Sequence, residues 1–217
     1  MSAGGTLAII PVRSLTTGKL RLASAVDPAT RSELTRRMLA IGIRACRSSG
    51  AVDQVLVISP DQEALSFALT IDPDLVAVRQ SDLTPGLVPA LDQARSLASA
   101  GGYSSIMILF ADLPLLTGDD VAGLLAVNGQ VVVAPDQAGS GTNALVVRQG
   151  LVDLSGFQFR FGTASFPRHV LEAKRLGIMA GSFSTAGLGF DLDTPHDLGE
   201  LISFDPAGVS ANLRTGS

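Results

Sequence analysis

The sequence predicts an α/β fold, a mostly parallel sheet flanked by helices on both faces. Three observations carry this expectation. Short runs rich in Val and Ile recur along the chain and are apolar at nearly every position, as strands buried on both faces are. Amphipathic segments with apolar residues at helical spacing separate them. The 217 residues are 46% hydrophobic and 17% charged, which suits one well-packed domain and excludes a disordered chain.

Strands are expected at 7–12 (LAIIPV), 54–58 (QVLVI), 75–78 (LVAV), 106–110 (IMILF), 130–134 (QVVVA) and 144–147 (ALVV). Between Pro28 and Ser48, Leu34, Met38, Ile41 and Ala45 fall on one helical face with charged residues between them. Further helices are expected at Gln62–Leu69, Leu87–Ala98, Asp119–Val127, Ser165–Leu176 and His196–Ile202. No linker or fixed-period repeat divides the chain, so residues 1–204 read as one domain and 205–217 (DPAGVSANLRTGS) as a polar tail.

Composition excludes several classes. A net charge of −4 argues against a broad grip on nucleic acid. The single cysteine, Cys46, allows no intrachain disulfide and sits among apolar helix positions, as a small core residue would. The first apolar run, Leu7–Val12, is short and follows no basic segment, unlike a signal peptide. No stretch approaches the ~18 uninterrupted apolar residues that span a bilayer. A soluble, cytoplasmic protein with no membrane partner is expected.

In such folds ligands bind beyond the carboxyl ends of the strands, and the polar motifs cluster there. The first strand leads to Arg13 and then Gly18-Lys19-Leu20-Arg21. Arg13, Lys19 and Arg21 concentrate positive charge in a charge-poor chain, as a leaving pyrophosphate requires. A solvated basic turn reads equally well, and no P-loop motif is present. The fourth run delivers Asp112 (Phe110-Ala111-Asp112-Leu113-Pro114), where a lone carboxylate meets a metal or merely makes a turn. In Gly189-Phe190-Asp191-Leu192-Asp193-Thr194-Pro195, Asp191 and Asp193 project the same way if the segment is extended. Two such carboxylates repel unless a cation lies between them, and hard divalent ions take oxygen ligands. Together with Asp112 they form a candidate three-carboxylate metal site. Thr194 is placed to cap a helix starting at Pro195.

Two loops offer anion seats. Residues 134–143 (APDQAGSGTN) are small and polar and could present amides to an anion, although a plain hairpin turn is commoner. Arg160-Phe161-Gly162-Thr163-Ala164-Ser165 opens a helix whose free amides suit phosphate or carboxylate; Thr163 or Ser165 could equally be an N-cap. His169, one turn further in, reads as a packing or surface residue.

In order along the chain, IIPVR-x5-KLRLA, ADLPLL, PDQAGSGTNAL, FRFGTASFPRH and GFDLDTP resemble the guanylyltransferases of coenzyme F-420 biosynthesis. The resemblance runs from about Leu7 to about Ile202. It implies a GT-A-like nucleotide-diphospho-sugar transferase fold and transfer of GMP from GTP to a three-carbon phospho-acid. Phosphoenolpyruvate is the expected acceptor, with 2-phospho-L-lactate and 3-phosphoglycerate as alternatives. It further implies Mg2+ on Asp112, Asp191 and Asp193, and a phospho-acid seat at Thr142, Gly162 and Ser165. A second transferase would take the product onward; a homodimer is left open. Two departures stand out: Arg13 where relatives carry lysine, and Gly86-Leu87-Val88-Pro89 where Gly-Leu-Asn is usual. Arginine's planar fork replaces a compact charge at the first, and the second leaves nucleotide binding to backbone groups. Rival readings are a sugar-phosphate or molybdopterin nucleotidyltransferase, a glycosyltransferase with a DxD motif, and a non-catalytic nucleotide binder. The first is disfavoured because Ser14-Leu15-Thr16-Thr17-Gly18 is not glycine-rich. The second is disfavoured because Asp191-Leu192-Asp193 lies near the end of the chain.

Overall fold

Alternation within the apolar runs decides how the sheet is covered. In the computed structural model, which describes residues 4–148 and 156–204, β1 (Thr6–Pro11) sends Leu7 and Ile9 to one face and Ala8 and Ile10 to the other. β2 (Gln54–Ser59), β4 (Ser105–Leu109), β5 (Val131–Pro135) and β6 (Thr142–Arg148) divide in the same way. One layer packs under α1 (Pro28–Ser48), α2 (Gln62–Ile71) and α4 (Gly118–Ala126). The other packs under α3 (Leu87–Ala100) and α5 (Ser165–Arg175). Each of these runs is buried on both sides because each face has its own helical layer.

With β3 (Val76–Arg79) and β7 (Ala180–Ser182), the order is β3-β2-β1-β4-β6-β5-β7. β6 runs antiparallel to both β4 and β5, and every other pairing is parallel. The expected mostly parallel, helix-flanked sheet is therefore present. The run at 75–78 departs from expectation: β3 is an edge strand and Val76 is 39% exposed, because among the described residues no strand pairs its outer side. β7 and α6 (Ala186–Gly189) were not expected, being too short to show a period. Residues 205–217, the expected tail, lie outside the described residues.

Local chemistry sets the helix starts. Asp27 accepts from Ala29 N–H (2.8 Å) and Thr30 N–H (3.0 Å), and Pro28 occupies the first helical position of α1. α7 (Pro195–Phe204) begins as expected: Thr194 Oγ1 accepts from Asp197 N–H, and the Asp197 carboxylate accepts from Asp193 and Thr194 N–H. Neither Thr163 nor Ser165 caps α5. Ala164 takes the capping position in the left-handed region (φ 53°) with no side-chain cap bond. Cys46 is a core residue, and burial pushes its thiol up to about 12.

His169 on α5 is fully buried. Arg160 N–H donates to its Nε2 (2.9 Å), so the hydrogen resides on Nδ1 and points to Thr142 Oγ1 at 3.1 Å. The ring thereby ties β6 to α5 and to the chain entering it. Glu172, one turn on, accepts from Arg175, Arg160 and Gln158 N–H, which hold its carboxyl down at about 2. Burial, with Arg168 nearby, depresses His169 to about 4. Because the native state resists protonating this ring, the stability that it contributes is intact above pH 6.5, the ordinary histidine value, and is lost as pH falls towards 4. Urea midpoints should therefore fall between pH 7 and 5, and His169→Gln should flatten that slope. A variant with the parent's slope would exclude His169 as its source.

Candidate active site

Two chain segments deliver the carboxylates. Asp112 lies just past β4, after Phe110 and Ala111, and its backbone carbonyl accepts from Leu192 N–H (3.0 Å), which stitches the strand exit to the 189–195 segment. Leu192 is fully buried with Leu22, Leu34, Met38, Leu198 and Leu201 in a small core of its own. Anchoring Leu192 inward leaves Asp191 and Asp193, its neighbours in an extended stretch, partly exposed on the other side. Asn143 at the start of β6 donates through Nδ2 to Leu188 O (2.9 Å), Gly189 O (3.2 Å) and, at 3.4 Å, Asp191 Oδ1.

Lys19 reaches into this group. Its Nζ donates to Asp112 Oδ2 at 3.0 Å and Asp193 Oδ1 at 2.8 Å, with the side chain only 10% exposed. Burial alone would lower the ammonium's pKa, but Asp112 and Asp193 outweigh it and hold it above the ordinary lysine range. The residue sits at φ 54°, a backbone region that costs a non-glycine residue on the order of 1 kcal/mol. Arg21 stands further out, 3.6 Å from Asp193 and 76% exposed. Among the described residues, no cation pairs with Asp191. Burial and the Asp112 charge push its carboxyl above the usual range, partly offset by the Asn143 bond.

Part of the carboxylate set lacks a partner: Asp112 Oδ1 is buried and accepts no hydrogen bond among the described residues. Such an orphan is costly unless a donor or cation meets it, and an all-oxygen donor set suits a hard divalent ion. The residues present therefore fit Mg2+. The three aspartates are not drawn in as tightly as a loaded site would be. Among the described residues, the trio whose ligand atoms all lie within 4.8 Å of one another is His196, Asp197 and Glu200 at the start of α7.

The other expected residues lie around this centre. Arg13 is exposed and lines a cavity of about 640 Å3 beyond the carboxyl ends of β1, β2 and β3, which Phe110 also borders. Thr142 and Ser165 are 4% and 3% exposed, and Thr142's hydroxyl is engaged by His169. Gly162 is exposed at φ 109°. Among the described residues, the N–H groups of Gly162, Thr163 and Ala164 donate to no hydrogen bond, so free amides do gather at the start of α5. In the 134–143 loop the amides of Gly139, Ser140 and Gly141 are engaged within the turn. Asp136 already accepts from Ser140 and Gly141 N–H (2.7 and 2.8 Å), closing the β5–β6 hairpin turn. Sequence reasoning assigned no role to Asn143 or Gln80, although Asn143 stood within a motif already singled out.

Because Lys19 is the buried counter-ion of two carboxylates, Lys19→Met should lower the stability of metal-free protein by about 1–3 kcal/mol, the cost of leaving partly buried charges unpaired. Urea unfolding in a chelating buffer measures this, and unchanged stability would show that the bridge contributes nothing.

Comparison with known proteins follows the same line. The model of the family described as "Guanylyl transferase CofC like" matches residues 6–212. A phosphoenolpyruvate guanylyltransferase of Rubrobacter xylanophilus is 38% identical over 197 residues, covering 89% of this chain and 92% of that protein. A 2-phospho-L-lactate guanylyltransferase of Methanothermobacter thermautotrophicus is 35% identical over 203 residues, covering 91% of this chain and 84% of that protein. A solved structure, of a candidate nucleotide-diphospho-sugar transferase from Desulfovibrio desulfuricans G20, superposes with a TM-score of 0.76 at 15% identity. It covers 99% of this chain and 92% of that one, and the likeness is one of fold. With the family model spanning nearly all of the chain and relatives above one-third identity over most of it, this protein belongs to the CofC-like guanylyl transferase family.

Proposed function

We propose that this chain is a magnesium-dependent guanylyltransferase that moves GMP from GTP to the phosphate of phosphoenolpyruvate, releasing pyrophosphate, in coenzyme F-420 biosynthesis. The observation that carries the reading is the meeting of Lys19, Asp112 and Asp193 past the ends of β1 and β4, from which Arg13 and Phe110 also border a cavity. Family membership supports guanylyl transfer, and the 38% identical relative supports the acceptor.

The reaction is an in-line displacement. A phosphate oxygen of the acceptor forms a bond to the α-phosphorus of GTP as the bond to the bridging oxygen breaks, and pyrophosphate carries away the electron pair. No protein nucleophile is required. Asp112, Asp191 and Asp193 would hold Mg2+, which, when bound, supplies positive charge to the phosphoryl oxygens. Arg13, Lys19 and Arg21 offset the triphosphate charge from the β1 side. The free amides at Gly162, Thr163 and Ala164, at the positive end of the α5 dipole, hold the acceptor's anionic groups. Thr142 and Ser165, whose side chains are buried, support that turn from within. The enzyme works in the cytoplasm in this reading, and a second transferase takes its product; among the described residues no helix is long and apolar enough to cross a membrane.

Asp112→Asn and Asp193→Asn should each cut turnover at least ~100-fold, the scale of losing an electrostatic partner of the transition state, with little change in Tm. Near-normal turnover in magnesium would remove that residue from the site. Pyrophosphate release and product mass, followed with GTP and each of phosphoenolpyruvate, 2-phospho-L-lactate and 3-phosphoglycerate, should favour the first. These acids differ by small groups, a distinction worth about 1–3 kcal/mol in an apolar pocket, so slower turnover of the others is expected. A clear preference for 2-phospho-L-lactate or 3-phosphoglycerate would change the acceptor, and silence with all three would sink the function.

A further inference from the structure

His169 is wholly buried in the second turn of α5, so it touches no guest, and any service to a ligand passes through its neighbours. Those neighbours are the start of β6 and the turn that leads into α5. The turn carries the free amides of Gly162, Thr163 and Ala164 between two fastenings. At one end Phe166 N–H donates to Ser140 O (3.1 Å). At the other, Arg160 N–H donates to His169 Nε2 (2.9 Å). Between them the backbone is in the left-handed region twice, at Gly162 (φ 109°) and Ala164 (φ 53°). For an alanine that conformation persists only where the surroundings over-determine it.

The imidazole is itself held. Phe157 stacks on it with ring centroids 6.1 Å apart, and Phe161 meets it edge-on at 4.6 Å. Phe161 also stands edge-on to Phe110, at 5.2 Å, two residues before Asp112. The hydrogen bonds fix the tautomer, because Nε2 accepts and Nδ1–H donates to Thr142 Oγ1 (3.1 Å). The other tautomer would set a ring hydrogen against Arg160 N–H and open that fastening.

We propose that His169 is a positioning residue for the acceptor: by holding Arg160 N–H it sets the amides of Gly162, Thr163 and Ala164 where the phospho-acid's anionic group is received. Its contact with Phe161, and through that ring with Phe110, places the seat relative to Asp112. This inference rests on the guanylyl-transfer reading, which seats the phospho-acid on those amides. A histidine that served packing alone would change the binding of both substrates alike or of neither.

Two measurements on the full chain with magnesium test it. Nitrogen NMR of the parent with labelled histidine should show Nδ1 protonated and Nε2 bare at His169, one of two histidines in the chain. A protonated Nε2 overturns the assignment, whatever any variant does. Pyrophosphate release then gives KM for GTP and for phosphoenolpyruvate separately. His169→Phe keeps a flat ring and leaves Arg160 N–H without its acceptor. It should raise KM for phosphoenolpyruvate roughly 10- to 100-fold, the scale of a displaced positioning group, with KM for GTP unchanged. His169→Gln, whose amide oxygen reaches the place of Nε2, should recover most of that loss. His169→Asn ends near the place of Nδ1 and should not. A folded Phe variant with the parent's KM for phosphoenolpyruvate, an equal rise for both substrates, or Gln faring no better than Asn overturns the assignment. Should the Phe variant not fold, the tautomer and the comparison of Gln with Asn decide. If the parent releases no pyrophosphate with any phospho-acid, the proposed reaction fails and calorimetric binding of phosphoenolpyruvate reads the seat instead. The assignment then stands only if the parent binds it and the Asn variant binds it at least ~10-fold more weakly. A parent that does not bind phosphoenolpyruvate overturns both.

Discussion

Carboxylates from two distant segments share a small, partly buried space with the Lys19 ammonium, and the rest of the site is arranged around that balance. Like charges a few ångströms apart in a low-dielectric setting repel strongly. Two charge-assisted bonds to Nζ, at 2.8 and 3.0 Å, relieve Asp112 and Asp193. They also offset the left-handed backbone that Lys19 adopts. The neutralisation stops short of completion, with Asp112 Oδ1 unpartnered and the Asp191 carboxyl pushed up. Buried polar atoms are almost always paired, so a cluster left in that state has room for one more cation or donor.

The scaffold holds these charges by backbone more than by side chains. Leu192 N–H on the Asp112 carbonyl and Phe110 N–H on the Asn143 carbonyl join three segments at the same edge of the sheet. The reversed direction of β6 makes this contact available. An antiparallel strand begins where its parallel neighbours end, so Asn143 arrives beside the carboxyl end of β4 and reaches Leu188, Gly189 and Asp191. A buried leucine between the paired aspartates then points both carboxylates away from the core. The same edge carries the cavity beyond β1, β2 and β3 towards one end of the sheet and the free amides at the start of α5 towards the other.

The sequence by itself determined the layered fold and pointed to the aspartates that gather at one edge of its sheet. Val- and Ile-rich runs reveal double-sided burial without any partner being known; Asp112 was legible because it follows such a run, and Asp191 and Asp193 because carboxylates two residues apart in an extended stretch project together. Capping at Thr194 was legible because a cap is a contact between near neighbours. Only the tertiary structure decided the antiparallel place of β6, the exposed edge at β3 and the short elements β7 and α6, which have no period to read. It alone joined Lys19 to Asp112 and Asp193, partners 93 and 174 residues away, and turned His169 into the buried link between β6 and α5. It alone closed the 136–141 loop on Asp136 and fixed the Gln80 amide on the carbonyls of Thr84 and Gly86. The physical reason is common to all of these. Periodicity and capping are short-range properties written in consecutive residues, whereas charge pairing and hydrogen-bond satisfaction depend on which distant groups the packed chain brings within about 3 Å.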